Sequence, residues 1–184
     1  MKRAFDVVVS IALLLLAAPV LLPVMLIVFL QDFRSPFYLG VRAGRNEVPF
    51  RMVKLRSMQV NADRSGVDST SGDDRRITPV GRFIRAYKLD ELMQLWNVLV
   101  GDMSLVGPRP CLPYEWEIYK DWHKKRTAVR PGITGLWQVV GRSEVSFEDM
   151  ILLDLYYIYN YRLELDFSIL FETIFVVLKK KGAH

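Results

Sequence analysis

Cysteine and histidine are nearly absent from this chain: Cys111 is the single thiol, and His123 and His184 are the only imidazoles among 184 residues. One cysteine excludes an internal disulfide framework, which fits a reducing compartment, and a Cys/His zinc site has too few ligands to assemble. The chain also lacks repeats, low-complexity tracts and a convincing linker, so a single domain over residues 1–184 is the economical reading. Charge is not lacking. Charged residues make up 24% of the chain, which excludes a polytopic membrane protein even though 51% is hydrophobic. The net charge of +5 points to an anionic partner, and nucleic acid, anionic lipid and a phosphorylated substrate all satisfy it.

The apolar excess is concentrated at the start, where Val7 to Leu30 carries no charge and has roughly the twenty residues a spanning helix needs. A cleaved signal peptide fits poorly, because the run overshoots the usual apolar core and no small-x-small site follows Leu30. Lys2 and Arg3 lie on one side of the run, and Arg34, Arg42, Arg45, Arg51, Lys54 and Arg56 on the other, so both flanks have cytoplasmic character. Pro19 removes an N–H and crowds the preceding turn, and Pro23 repeats the insult. The expectation is a re-entrant helix over residues 1–32, broken near Pro19, that enters and leaves by one face.

Residues 33–184 then form the cytosolic, membrane-surface part. Two β-leaning runs, Phe37 to Arg42 and Phe50 to Ser57, flank the turn-like Ala43 to Asn46 and predict a hairpin. Asn61 to Arg76 is polar, rich in Gly, Ser and Asp, and reads as a mobile loop. Thr78-Pro79 is a helix start, with Thr as N-cap and Pro in the first turn. Val80, Phe83, Ile84 and Tyr87 share a face there, and Arg82, Arg85 and Lys88 lie largely opposite, as in an interfacial helix or an ordinary surface helix. The same two readings apply to Asp166 to Lys181, where three lysines close the segment. Ser146 and Asp149 predict the capped start of a helix through about Tyr161, with four tyrosines that suit a core better than a headgroup belt. The fold expected is mainly α with a small β-hairpin, an α+β protein.

Chemistry concentrates in Lys88 to Pro110. Leu89, Leu92, Leu95, Trp96 and Leu99 predict an amphipathic helix that stops at Gly101, with Asp90 and Glu91 in its first turn. Acidic residues there are commonly caps. Cations surround this pair in sequence: Arg82, Arg85 and Lys88 precede it, and Gly107-Pro108-Arg109-Pro110 presents Arg109 on a rigid turn. Arg130 and Arg142 bracket a short apolar strand or loop in RPGITGLWQVVGR. The planar guanidinium fork matches phosphate oxygens, so the set suggests a phosphorylated, lipid-linked substrate.

LDEL at Leu89 to Leu92, QLWNVLVGDMSLVGPRP at Gln94 to Pro110, RPGITGLWQVVGR at Arg130 to Arg142 and LDLYY at Leu153 to Tyr157 together resemble the bacterial monotopic phosphoglycosyl transferases, the bacterial sugar transferase family. The resemblance covers nearly the whole chain, in what looks like the minimal catalytic form. It implies that Asp90 attacks a UDP-sugar, that UMP departs, and that polyprenyl phosphate takes up the phosphosugar. It further implies Mg²⁺ held by Glu91 with Asp90, and phosphate or nucleotide contacts from Arg109, Arg130 and Arg142. Arg85, and more weakly Lys54, are candidates for the polyprenyl phosphate headgroup, while Asp154 reads as structural. Partners on this reading are a UDP-sugar, polyprenyl phosphate and membrane lipids, with no nucleic acid, at the cytosolic face of the bacterial inner membrane. Family members commonly carry Ser-Pro at the helix break; here Ala18-Pro19 keeps the proline and lacks the hydroxyl. Two rivals remain at this stage. A membrane-anchored binder of anionic lipid or nucleic acid leaves the acidic pair without a role, and an ordinary glycosyltransferase releases UDP rather than UMP.

Overall fold

The computed structural model describes residues 1–62, 74–141 and 145–178. Arg142, the three closing lysines and most of the expected loop at 61–76 lie outside the described residues. The first element, α1 (Lys2–Leu30), is one uninterrupted helix that contains both Pro19 and Pro23. It is long and apolar enough to cross a membrane by length and composition. Leu15 and Leu16 are 71% and 78% exposed, which is not how a soluble core helix packs.

Both ends of α1 are fastened to the same body. At its start Lys2 donates to an Asp166 carboxylate oxygen at 2.7 Å and to the Val106 carbonyl at 3.1 Å. Arg3 donates to the carbonyls of Val98 and Leu99, where the last turn of a helix leaves acceptors unfilled and partly negative. Buried Asp6 accepts from the Ser104 hydroxyl at 2.8 Å and the Leu105 N–H at 3.3 Å. At the far end Arg56 forks onto Asp32 and reaches the Val28 carbonyl at 3.3 Å.

The predicted hairpin is β1 (Phe37–Ala43) against β2 (Pro49–Leu55), antiparallel, with Tyr38 opposite Lys54, Gly40 opposite Met52 and Arg42 opposite Phe50. Thr78 caps α2 (Pro79–Ala86) by accepting from the Gly81 N–H at 2.9 Å. The expected single helix from Leu89 is two short ones, α3 (Leu89–Leu92) and α4 (Gln94–Val100). They divide at Met93, where the Trp96 N–H bonds back only three residues, a tightened turn. Gly101 ends α4 with φ 104°, a conformation that suits glycine.

A second small sheet pairs β3 (Ser104–Val106) with β4 (Gly132–Thr134) in parallel. Between them run the short helices α5 (Pro113–Ile118) and α6 (Asp121–Lys124). The stretch after β4 forms α7 (Leu136–Val140), a helix the sequence reading took as strand or loop. Ser146 opens α8 (Phe147–Tyr159) as expected, and α9 (Leu163–Leu178) follows. Of the four tyrosines only Tyr157 is buried; Tyr156, Tyr159 and Tyr161 are exposed, so the preference for a core fails for three of them.

Two apolar clusters organise the molecule. One joins β2, α4, β3, α8 and α9 through Met52, Leu95, Val98, Leu105, Tyr157 and Ile169. The other seats Leu21, Val24 and Val28 of α1 on Leu55 and Ile84, with Leu89 and Leu92 packed against it. Phe83 and Tyr87 stay outside, stacked on one another with ring centroids 4.8 Å apart, and Phe171, Ile174 and Phe175 of α9 are likewise exposed. A Phe5–Phe167 ring contact at 5.1 Å ties the exposed faces of α1 and α9 together. So much uncovered apolar surface exceeds what a soluble monomer presents.

Candidate active site

The alternation in LDEL sorts its side chains. Leu89 and Leu92, three residues apart on one face, pack toward α1. Asp90 and Glu91 are left facing β2, where Lys54 Nζ lies 3.9 Å from Asp90 and 3.6 Å from Glu91. Side-chain exposures of 14% for Asp90, 29% for Glu91 and 20% for Lys54 make the triplet partly desolvated yet reachable.

Asn97, which the sequence reading passed over, sets that geometry. Its side-chain amide donates to the Arg51 carbonyl and accepts from the Val53 N–H, both at 2.8 Å. A helix side chain thus pairs with β2 as a neighbouring strand would, one residue from Lys54. Its burial inside α4, with a partner more than forty residues away, gives no local signal.

Electrostatics separate the two carboxylates. Burial raises the Asp90 carboxyl above its ordinary range, aided by its neighbour Glu91 and opposed by Lys54 and Arg85. Burial acts on Glu91 in the same direction, but Lys54, Arg109 and Lys88 together outweigh it and hold Glu91 below the usual value. Lys54 itself is lowered, by burial first, with Glu91 and Asp90 pulling the other way. The dyad therefore pairs an Asp whose carboxyl is pushed up with a Glu whose carboxyl is held down.

A cleft of about 290 Å³ opens beside this triplet, lined by Glu91, Lys54, Arg42, Arg109, Met52 and Gln94. Arg109 is placed from behind: its carbonyl accepts from Arg126 at 3.0 Å, and Arg126 forms a buried ion pair with Asp154. Asp154 is structural, as expected, through a partner the sequence did not reveal. Arg85 acts electrostatically on Asp90 and donates to the Ser57 hydroxyl at 2.9 Å. Gly81 makes this possible, because a Cβ there would meet the Ser57 carbonyl at 1.8 Å. Arg130 is not brought to the dyad; its Nε donates to the Gly101 carbonyl at 2.8 Å and braces the end of α4. Arg142 lies outside the described residues.

Among the described residues no group of three or more His, Cys, Asp or Glu side chains could hold a metal ion. The donor set is the adjacent Asp90 and Glu91, hard oxygen ligands of the number Mg²⁺ takes from protein when substrate phosphates supply the rest. The residues present fit such an ion.

Similar proteins agree with this arrangement in extent. UDP-galactose-lipid carrier transferase of Erwinia amylovora is 40% identical over 199 residues, covering 100% of this chain and 42% of that protein. Undecaprenyl-phosphate galactose phosphotransferase of Salmonella typhimurium is 41% identical over 199 residues, again covering 100% and 42%. Exopolysaccharide production protein ExoY of Sinorhizobium fredii is 37% identical over 198 residues, covering 100% of this chain and 88% of the relative. The chain thus spans well under half of the first two. Residues 1–180, which include both ends of α1, the dyad and every arginine of the cleft, match the bacterial sugar transferases, and the chain belongs to that family.

Proposed function

We propose that this chain transfers a phosphosugar from a UDP-sugar to polyprenyl phosphate, with Asp90 as the nucleophile. The observation that carries the reading is the Asp90-Glu91 pair, bridged by Lys54, with Glu91 and Lys54 in the wall of an arginine-lined cleft and Leu89 and Leu92 of the same helix packed toward α1. A non-enzymatic binder would have no use for two desolvated carboxylates among its cations. The relatives' names support both substrates, since one is called a UDP-galactose-lipid carrier transferase and another an undecaprenyl-phosphate galactose phosphotransferase.

In the first step a carboxylate oxygen of Asp90 bonds to the β-phosphorus, and the bond from that phosphorus to the bridging oxygen breaks, releasing UMP. In the second an oxygen of polyprenyl phosphate bonds to the same phosphorus, and the Asp90 carboxylate departs unchanged. The products are UMP and a polyprenyl-diphosphate sugar. Lys54 holds both carboxylates in place and offsets their repulsion of the incoming phosphates. Glu91 with Asp90 would hold Mg²⁺, which when bound neutralises phosphate charge. Arg109 faces the cleft to receive the diphosphate, and Arg85, on the amphipathic α2 beside α1, meets the acceptor phosphate at the headgroups.

A lipid-borne phosphate stays at the bilayer surface while a UDP-sugar stays in water, so the nucleophile belongs at headgroup level. The apolar faces of α1 and α9 embed the protein to that depth. With both ends of α1 fastened to one body, α1 enters and leaves by the cytosolic face of the bacterial inner membrane as a re-entrant element. The test uses purified protein with polyprenyl phosphate, Mg²⁺ and a panel of UDP-sugars, and identifies the released nucleotide. UMP is expected with at least one donor, and Asp90→Asn is expected to release none. UDP as the product, or full activity in Asp90→Asn, refutes the reading.

A further inference from the structure

Arg42, Lys54 and Arg109 line the cleft together with Glu91, and Arg85 is not part of that lining. Arg85 and Lys54 act on Asp90, Lys54 and Arg109 act on Glu91, and Arg109 acts in turn on Arg42. Arg42 also acts directly on Lys54, and its other electrostatic neighbours are Tyr38, Glu115 and Tyr114. Neither Arg42 nor Arg109 forms an ion pair with a carboxylate among the described residues, although both line the cleft. Two guanidiniums lining one cleft suit a phosphate group.

The hairpin is shaped around Arg42. Tyr38, Gly40 and Arg42 alternate along β1 and share the face that carries Met52 and Lys54. A Cβ at Gly40 would lie 3.0 Å from the Tyr38 ring and 3.2 Å from an Arg42 nitrogen, so the glycine lets both side chains lie down across the strand and meet. Tyr38 and Tyr114 are 41% and 46% exposed, which leaves aromatic surface open next to the guanidinium.

We infer that Arg42 binds the phosphate that leaves with the nucleoside, with Tyr38 and Tyr114 flanking the base, so that the donor lies along the cleft with its nucleotide at the β1–α5 end and the acceptor approaches from Arg85. The inference rests on the reading above and adds a direction to it. It also assigns a role to Arg42, whose position in the sequence suggests only a basic membrane flank.

The experiment titrates UMP into the purified full chain and measures KM separately for the donor and for polyprenyl phosphate. Arg42→Ala is expected to weaken UMP binding by about tenfold to a hundredfold and to raise the donor KM, with the acceptor KM unmoved. Arg42→Lys should recover part of the loss. Tyr114→Ala should cost UMP about tenfold, the scale of one base stacked on one ring. Gly40→Ala, which displaces only flexible side-chain ends, should weaken UMP binding while leaving the thermal midpoint near that of the parent. Arg85→Ala should do the reverse of Arg42→Ala, raising the acceptor KM alone. Unchanged UMP affinity in Arg42→Ala, or a rise in acceptor KM instead, overturns the inference while UMP release by the parent protein still stands. A parent protein that releases UDP removes both.

Discussion

Replacing Asn97 by alanine tests whether a single side chain sets the catalytic geometry. The amide makes two 2.8 Å hydrogen bonds to β2, and Asn97 is 1% exposed, so the loss of its side chain leaves both β2 groups short of a partner on that side. The Val53 N–H and the Arg51 carbonyl would each lose a buried partner, at about 1–3 kcal/mol apiece. Relaxation recovers part of this, and a net loss of about 2–4 kcal/mol is expected. For a chain of this size that corresponds to a fall in thermal midpoint of about 5–15 °C, read by tryptophan fluorescence in detergent.

Activity should fall by more than the lost stability explains. Lys54 adjoins Val53, and freeing that stretch of β2 lets Nζ drift from carboxylates it meets at 3.9 and 3.6 Å. A displacement of about 1 Å at such a group can cost about a hundredfold, so kcat/KM measured well below the midpoint should drop at least tenfold. Asn97→Asp keeps an acceptor for Val53 but loses the donor and puts a second carboxylate beside Asp102, which lies 3.2 Å from the amide, so it should rescue little. A midpoint within about 2 °C of the parent together with an unchanged kcat/KM refutes the reasoning.

Other outcomes follow from the same contacts. Because the ionised Asp90 is the attacking form and burial raises its carboxyl, activity should fall away on the acid side at higher pH than an ordinary aspartate would give. Lys54→Met removes the strongest opposing charge and should move that acid limb to still higher pH, measured as kcat/KM against pH. Arg126→Met leaves the Asp154 carboxylate buried without its partner and should cost about 3–5 kcal/mol, whereas Arg126→Met with Asp154→Leu should recover most of the thermal midpoint. Both versions release the Arg109 carbonyl and should raise the donor KM alike. Gly81→Ala drives a methyl into the Ser57 carbonyl, so α2 must shift; the expected signature is a raised acceptor KM with donor KM little changed.

Features written in a few neighbouring residues were legible in the sequence. Thr78-Pro79 and Ser146 cap their helices, Gly101 ends α4, and the hairpin differs from expectation by two residues at most, because each rests on chemistry within a turn or two of chain. Asp90, Glu91 and Lys54 also meet as a cluster, with Lys54 beside the dyad itself rather than simply awaiting a lipid headgroup. What escaped depends on partners far along the chain: Asn97 on β2, Arg126 on Asp154 and on the Arg109 carbonyl, and Arg42 folded over Gly40. The tyrosines of α8 escaped for another reason. Aromatic density alone does not distinguish a core from an apolar surface meant for lipid, and three of the four rings are on the surface.

Lys2 and Arg3 have a second role that their place in the sequence does not reveal. As flanking cations they imply a cytoplasmic N-terminus through the bias that governs membrane insertion. In the fold they are also structural, held by Asp166, Val106 and the carbonyls that end α4, while Asp6 closes the same junction onto Ser104 and Leu105. These contacts constrain topology more tightly than loose charges would, because a spanning α1 would have to carry its start away from partners that stay with the catalytic body. Breaking these contacts, with Asp6 losing both its donors and Asp166 losing Lys2, would cost several kcal/mol. The start of α1 is therefore held to the catalytic body by the junction between α1, β3 and α9, whatever bend the prolines impose.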